Sequence, residues 1–191
     1  IAGQPNPNAL AYQDTVSKFV LSRIEYVHDN TINPTQNIWN GLRYKVYLDV
    51  NMPTLKTALN NGKPTMNFGF DGRYYHKIYR NFIWAGRVAA DFSWGNQKLI
   101  YYLGGVDGWI GPKFNNGNQP AADQNYAFQS LAVNMRGYRQ NIANGNNAFV
   151  INSEFRLPLF ATIFDRPINN AFLRNFQLVQ FLDLGTAWNG K

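Results

Sequence analysis

The sequence predicts an all-β chain of antiparallel strands, and three observations predict it. Apolar and polar residues alternate over long stretches, apolar residues at helical spacing are almost absent, and charges are scarce while aromatics are plentiful. Of 191 residues, 15% are charged and 16% are aromatic, with 16 Gly and no Cys. Soluble domains ordinarily carry about 25% charged residues, so this composition fits either a soluble β-sandwich or a transmembrane β-barrel. The lack of cysteine excludes disulfide scaffolds, thiolate metal sites and cysteine nucleophiles. No window nears 18 consecutive apolar residues, which excludes a helical membrane span. Collagen-like and disordered classes fail on the aromatic content and the missing glycine period. The chain begins at Ile1 without a basic and apolar leader, and is read as mature or partial.

Six segments alternate. Leu42, Tyr44, Val46, Leu48 and Val50 share one face of a strand, against Arg43, Lys45, Tyr47 and Asp49 on the other. Trp84, Gly86, Val88, Ala90, Phe92 and Trp94 oppose Ala85, Arg87, Ala89, Asp91 and Ser93. Val20 to Tyr26 and Phe149 to Leu157 behave likewise, the second placing Glu154 and Arg156 on its polar side. Asp71 to Tyr79 is noisier, with Arg73, Tyr75 and Lys77 on the polar side. Gln177 to Trp188 is the least regular, with Asp183 opposite Leu178, Leu182 and Leu184. Residues 12–18 extend the first strand, and Leu55 to Asn61 offers one or two helical turns.

The two architectures differ in what the apolar face meets. In a soluble sandwich the polar face looks at water and seldom carries Arg, Glu and Asp at facing positions over several strands. In a barrel that face lines a lumen where charges must pair. Trp84 and Trp94 bracket the apolar face of one strand, ten residues apart, about the 9–11 residues of a tilted membrane strand. They are expected to be membrane-girdle aromatics; capping a soluble core is the other reading. Connections alternate: short turns at 29–41 and 81–83, longer segments at 52–69 and 104–146. Short turns on one side with long loops on the other is an outer-membrane pattern. The second long segment, rich in Asn, Gly and Gln, has no apolar period and is too long for an idle connection.

Near the end of that segment stands Asn134-Met135-Arg136-Gly137-Tyr138-Arg139. The strand from Asn147 through Glu154 to Pro158 follows, and then Asp183-Leu184-Gly185-Thr186-Ala187-Trp188. Upstream are Asp29-Asn30, Asn33-Pro34-Thr35 and Gly41, and Leu103-Gly104-Gly105. In this order they resemble the outer-membrane assembly and secretion superfamily typified by BamA, TamA and the two-partner secretion transporters. In that family a Val-Arg-Gly-Phe/Tyr motif tips an extracellular loop folded into the barrel. A Glu-bearing strand and an Asp-x-Gly-x-x-Trp strand come after it. Met135 stands where Val is usual. The resemblance runs from about Ser22 to Lys191.

The resemblance implies a fold, residues 1–191 forming about six strands of a larger, sixteen-stranded barrel, with 104–146 as the loop inside the lumen. It implies that Arg136 meets Glu154 and Asp183 with its guanidinium fork, that Gly137 makes the sharp turn, and that Tyr138 packs on the inner wall. This trio fixes a loop and is not catalytic. It implies insertion or translocation of proteins at a Gram-negative outer membrane. The partners would be the lipid bilayer, lipopolysaccharide, the rest of the barrel, substrate polypeptides and accessory subunits. A barrel that only anchors or forms a pore for another domain, such as a lipase-like or propeller domain, is the alternative. A soluble ligand-binding sandwich is a third.

No enzyme, metal or cofactor is expected. His28 and His76 lie on different strands without ligand spacing. No Gly-x-Ser-x-Gly elbow occurs, and Gly62-Lys63-Pro64-Thr65 lacks the upstream glycine of a phosphate loop. The net charge of +7 raises nucleic acid, but Arg136-Gly137-Tyr138 departs from the RNA-binding pattern at Arg139 and the basic residues form no stripe. A basic lumen or anionic lipopolysaccharide accounts for the charge, so nucleic acid is not an expected partner.

Overall fold

A computed structural model describes residues 18–35, 37–56, 61–105, 114–121, 126–131 and 135–190. The chain is mostly antiparallel sheet. The main sheet contains β1 (Phe19–Asp29), β3 (Ile38–Pro53), β4 (Thr65–Tyr79), β5 (Phe82–Gly95), β9 (Asn147–Pro158) and β10 (Gln177–Trp188), paired in that order. The short β2 (Ile32–Thr35) pairs with the start of β3. A second sheet has the order β7-β6-β8, with β6 (Lys98–Leu103), β7 (Tyr126–Leu131) and β8 (Ala143–Gly145). Helices α1 (Leu159–Ile163) and α2 (Ala171–Asn175) join β9 to β10. Among the described residues the main sheet does not close into a barrel: β1 and β10 are its edges.

All six alternating segments are strands, several longer than the sequence suggests. Their registers align the polar positions into rows. One row runs Asp29, Arg43, Arg73, Arg87, Asn152, Asp183 from edge to edge. The next runs Val27, Lys45, Asp71, Ala89, Val150, Gly185. Alternation of period two thus sorts the whole sheet into a charged face and an apolar face.

Both sides of the charged face acquire cover. At one end β5 turns at Gly95 and β6 folds back, pinned by Leu99 N–H donating to Ser93 Oγ at 2.8 Å and Ser93 N–H to Asn146 O at 2.8 Å. Tyr101, Leu103 and Met135 then bury against Ala89, Ala148 and Val150. At the other end Ile38 and Trp39 pack on Tyr75, Ile83 and Ala85. Here Gly41, at φ +116°, lets the Asp29–Asn30 turn close: a Cβ would lie 2.9 Å from Asn30 O, and Asn30 Oδ1 accepts from Leu42 N–H at 2.8 Å.

Two segments hold structure that the sequence did not indicate, and one expectation needs correction. The 104–146 segment holds regular structure: β7 lies parallel to β6, and β8 antiparallel to it. The run Lys98–Leu103 is the centre of that second sheet. The connection over residues 159–176, on the side of the two short turns, is long and carries two helices. The expected strand extension over 12–17 and most of the expected turn at 55–61 lie outside the described residues.

Within the charged face, Gly69 sits between Tyr47 and Asp91 in its row. A Cβ there would stand 2.0 Å from the Tyr47 ring. The bare backbone lets Tyr47 lie across β4 and donate its hydroxyl to Asp91 Oδ1 at 2.7 Å. Gly69→Val should evict the ring and the hydrogen bond together, lowering stability by about 2 kcal/mol. Tyr47→Phe, which keeps the ring, should cost about 1 kcal/mol. Equal urea midpoints for Gly69→Val and the wild type would refute this packing account.

Candidate functional site: an arginine clasp on the charged face

The loop that carries Met135 to Arg139 is held by its own asparagines. Asn141 Nδ2 donates to Asn115 O at 2.9 Å and to Asn118 O at 2.8 Å, and Asn144 Nδ2 donates to Asn118 O at 3.0 Å. Side-chain amides here do the pairing that a ladder does elsewhere, which gives the Asn-rich composition a physical reason. Gly105 N–H donates to Tyr138 O at 3.2 Å, tying the start of the loop to its end. Gly104, at φ +115°, allows that approach: a Cβ would meet Arg139 O at 2.1 Å.

The sheet supplies the floor. Arg136 donates three times to Asp183: backbone N–H to Oδ2 at 2.8 Å, Nε to Oδ2 at 2.9 Å and Nη2 to Oδ1 at 2.8 Å. Its Nη1 donates to Glu154 Oε1. Asp183 also accepts from Asn152 Nδ2 at 2.9 Å, and Glu154 Oε2 accepts from Arg156 Nε at 2.7 Å. The Asp183 side chain is 1% exposed, so the carboxylate depends on these donors for its charge to be tolerated. The hydrogen bonds it donates to Asp183 hold the Arg136 guanidinium above its ordinary pKa.

Four residues to which the sequence reading gave no part in the clasp contribute to it. Phe181 lies under the guanidinium, 4.1 Å from ring centroid to Cζ, a cation–π contact. Gly185 makes room for Met135: a Cβ at that position would be 2.7 Å from its Sδ. Met135 is 3% exposed and is the apolar post on which the motif stands. Arg156 extends the network by donating Nη1 to Asn37 O at 3.1 Å, linking the clasp to the opposite cover. The signals for Phe181 and Gly185 were available, since both share the face of Asp183.

Of the predicted residues, Arg136, Glu154 and Asp183 are brought together. Gly137, at φ +84° with open space around it, makes the turn. Tyr138, one residue past that turn, is 48% exposed among the described residues. Trp84 and Trp94 sit on the apolar face. The Trp84 ring covers Gly86, and its Nε1 donates to Ser153 Oγ at 2.9 Å; Trp94 is 40% exposed. No protein-family model, curated protein or solved structure matches this chain.

Arg136→Ala should destabilise by about 3 kcal/mol, because it strands Asp183 as a buried charge. Asn152 would remain as one of its partners, and Glu154 keeps Arg156. Gly185→Leu should shift the loop without touching any charged group, and cost about 1–3 kcal/mol through overpacking. Denaturant unfolding ranks the two. A loss under 0.5 kcal/mol for Arg136→Ala would contradict the clasp.

Proposed function

We propose that this chain is part of the wall of an outer-membrane β-barrel that inserts or translocates polypeptides at a Gram-negative outer membrane. The observation that carries the reading is the return of the Arg-Gly-Tyr loop onto the charged face, where Glu154 and Asp183 hold Arg136. That arrangement is what the family resemblance implies, at the residues it names. The loop then serves as a fixed internal element and has no catalytic role.

The apolar face favours lipid as its solvent. From Trp84 to Trp94 a strand rises about 33 Å, or about 25 Å along the normal at the tilt usual in such barrels. Its one hydroxyl over that stretch of β9, Ser153, is covered by the Trp84 indole, as a polar group in hydrocarbon requires. Phe68, Phe92 and Trp188 lie near Trp94 toward the other end, with Phe92 and Trp188 6.1 Å apart. On this reading the free edges of β1 and β10 pair with further strands of the barrel, and Trp84 and Trp94 belong to the two aromatic girdles. Lipopolysaccharide, substrate polypeptides and accessory subunits are the partners of the assembled barrel.

Single-tryptophan variants reconstituted into vesicles with bromine-labelled lipid test the environment. Trp84 and Trp94 should be strongly quenched, while Trp39, packed on the charged face, should be spared. Equal protection of all three would sink the membrane reading. Transport is tested in the full-length protein: Arg136→Ala should slow insertion of a substrate barrel into proteoliposomes, whereas a barrel that only anchors would lose stability with no insertion activity to lose.

A further inference from the structure

The connection over residues 159–176 is tied down by polar contacts at the β4–β5 turn. Arg80 donates Nη1 to Thr162 O at 3.0 Å and pairs with Asp165 at 2.6 Å, and Asn81 Nδ2 donates to Ala161 O at 3.2 Å. Leu159 N–H donates to Phe176 O at 3.2 Å and closes the base of the segment. Its apolar side chains belong to neither buried cluster and pack on one another instead. Phe160 lies 6.4 Å from Phe164 and 5.6 Å from Phe176, and Phe176 lies 6.0 Å from Phe172. Ile163, Phe164 and Phe172 remain more than half exposed.

Two cations accompany these rings. Arg166 stands two residues after Phe164 and Arg174 two after Phe172; both are exposed and enter no ion pair among the described residues. Clustered exposed rings mark a contact surface. Rings mixed with uncompensated arginines are what a segment lying in a membrane interface presents.

Depth agrees with that surface. Phe155 stands opposite Trp84 and packs on Phe82 at 6.1 Å, so the aromatic band of the apolar face reaches this end of the sheet. Pro158, where the helical segment begins, is three residues further on. That is about 10 Å along the strand, or about 8 Å along the normal at the usual barrel tilt. The headgroup layer beyond the hydrocarbon is about 5–8 Å thick on each side. The side of the short turns is the periplasmic side of such a barrel.

We infer that the 159–176 segment is an interfacial anchor whose rings enter the periplasmic-side leaflet and whose Arg166 and Arg174 hold anionic glycerophospholipid headgroups. Guanidinium forks match phosphate oxygens, and one arginine near such a surface favours anionic lipid about fivefold. The inference rests on the membrane reading of the chain and names the lipid at this end of it.

Phe172→Trp, at a side chain 71% exposed, reports the contact without disturbing packing. It is placed as the single tryptophan of the full-length protein and reconstituted into vesicles. Phosphatidylglycerol brominated high on its chains should quench it at least twofold more than phosphatidylcholine brominated at the same position and mole fraction. Arg166→Gln combined with Arg174→Gln should remove that excess and leave the phosphatidylcholine quenching in place. Single-tryptophan Trp84 is the control. An unquenched Phe172→Trp beside a quenched Trp84 would overturn the anchor and leave the membrane reading standing; a blue-shifted, unquenched emission would assign the rings to a protein contact instead. Loss of quenching at Trp84 as well would remove the membrane reading and the anchor with it. Equal quenching by the two lipids, or an excess that survives both arginine substitutions, would overturn the headgroup assignment.

Discussion

Asp183 is the constraint around which the rest is arranged. It is a carboxylate with its side chain almost wholly out of solvent, on an edge strand, and among the described residues its ion-pair partner, Arg136, lies outside the sheet. Asn152, its neighbour across the pair, supplies one hydrogen bond and no charge. The guanidinium must come from outside the sheet, so the loop has to return. Gly185 two residues on admits Met135, Phe181 two residues back supports the guanidinium, and Gly137 turns the chain away again. A buried ion cluster need not add net stability, because desolvation offsets much of its attraction. Its effect is to make every loop position but one expensive.

The same sheet presents two unlike surfaces because every strand keeps its phase. The charged face is roofed by β6 and its neighbours at one end and by the Ile38–Trp39 corner at the other, with the arginines between. The apolar face has no cover within the described residues. Its glycines are filled sideways instead: the Phe70 ring lies over Gly72 and the Trp84 ring over Gly86. Aromatic rings over glycines keep that face smooth, and the one polar atom these two rings bring, Trp84 Nε1, is spent on Ser153 Oγ.

Much of this was legible before any coordinates. Alternation over Leu42–Val50 and Trp84–Trp94 predicts strands and their faces together, since a period of two carries both facts. The Arg136, Glu154 and Asp183 association was legible only through the order of the motifs, as no local pattern joins residues so far apart. What was missed has physical causes. Lys98–Leu103 is a short apolar run without alternation, which periodicity does not separate from other buried segments. The short helices follow from end effects: Asn170 caps α2 by accepting from Phe172 and Leu173 N–H. The exposure of Tyr138 was not legible because a turn's exit direction depends on the left-handed φ of Gly137, which the residue type permits and does not specify.

The charges also act on register. Arg23 pairs with Asp49 at 2.6 Å, and Tyr47 reaches Asp91. Asp71 bridges Arg73 on its own strand and Arg87 on the next. Apart from Arg73, each of these contacts crosses between strands, and each lies on one face. Slipping any strand by one residue would carry its charged set onto the apolar side and strand the partners left behind. Apolar side chains discriminate poorly between neighbouring registers, because a leucine packs tolerably against many surfaces. An arginine transferred to the greasy face has no comparable alternative. The polar side therefore specifies the alignment that the apolar side only tolerates, and the clasp at Arg136 applies the same logic to a loop.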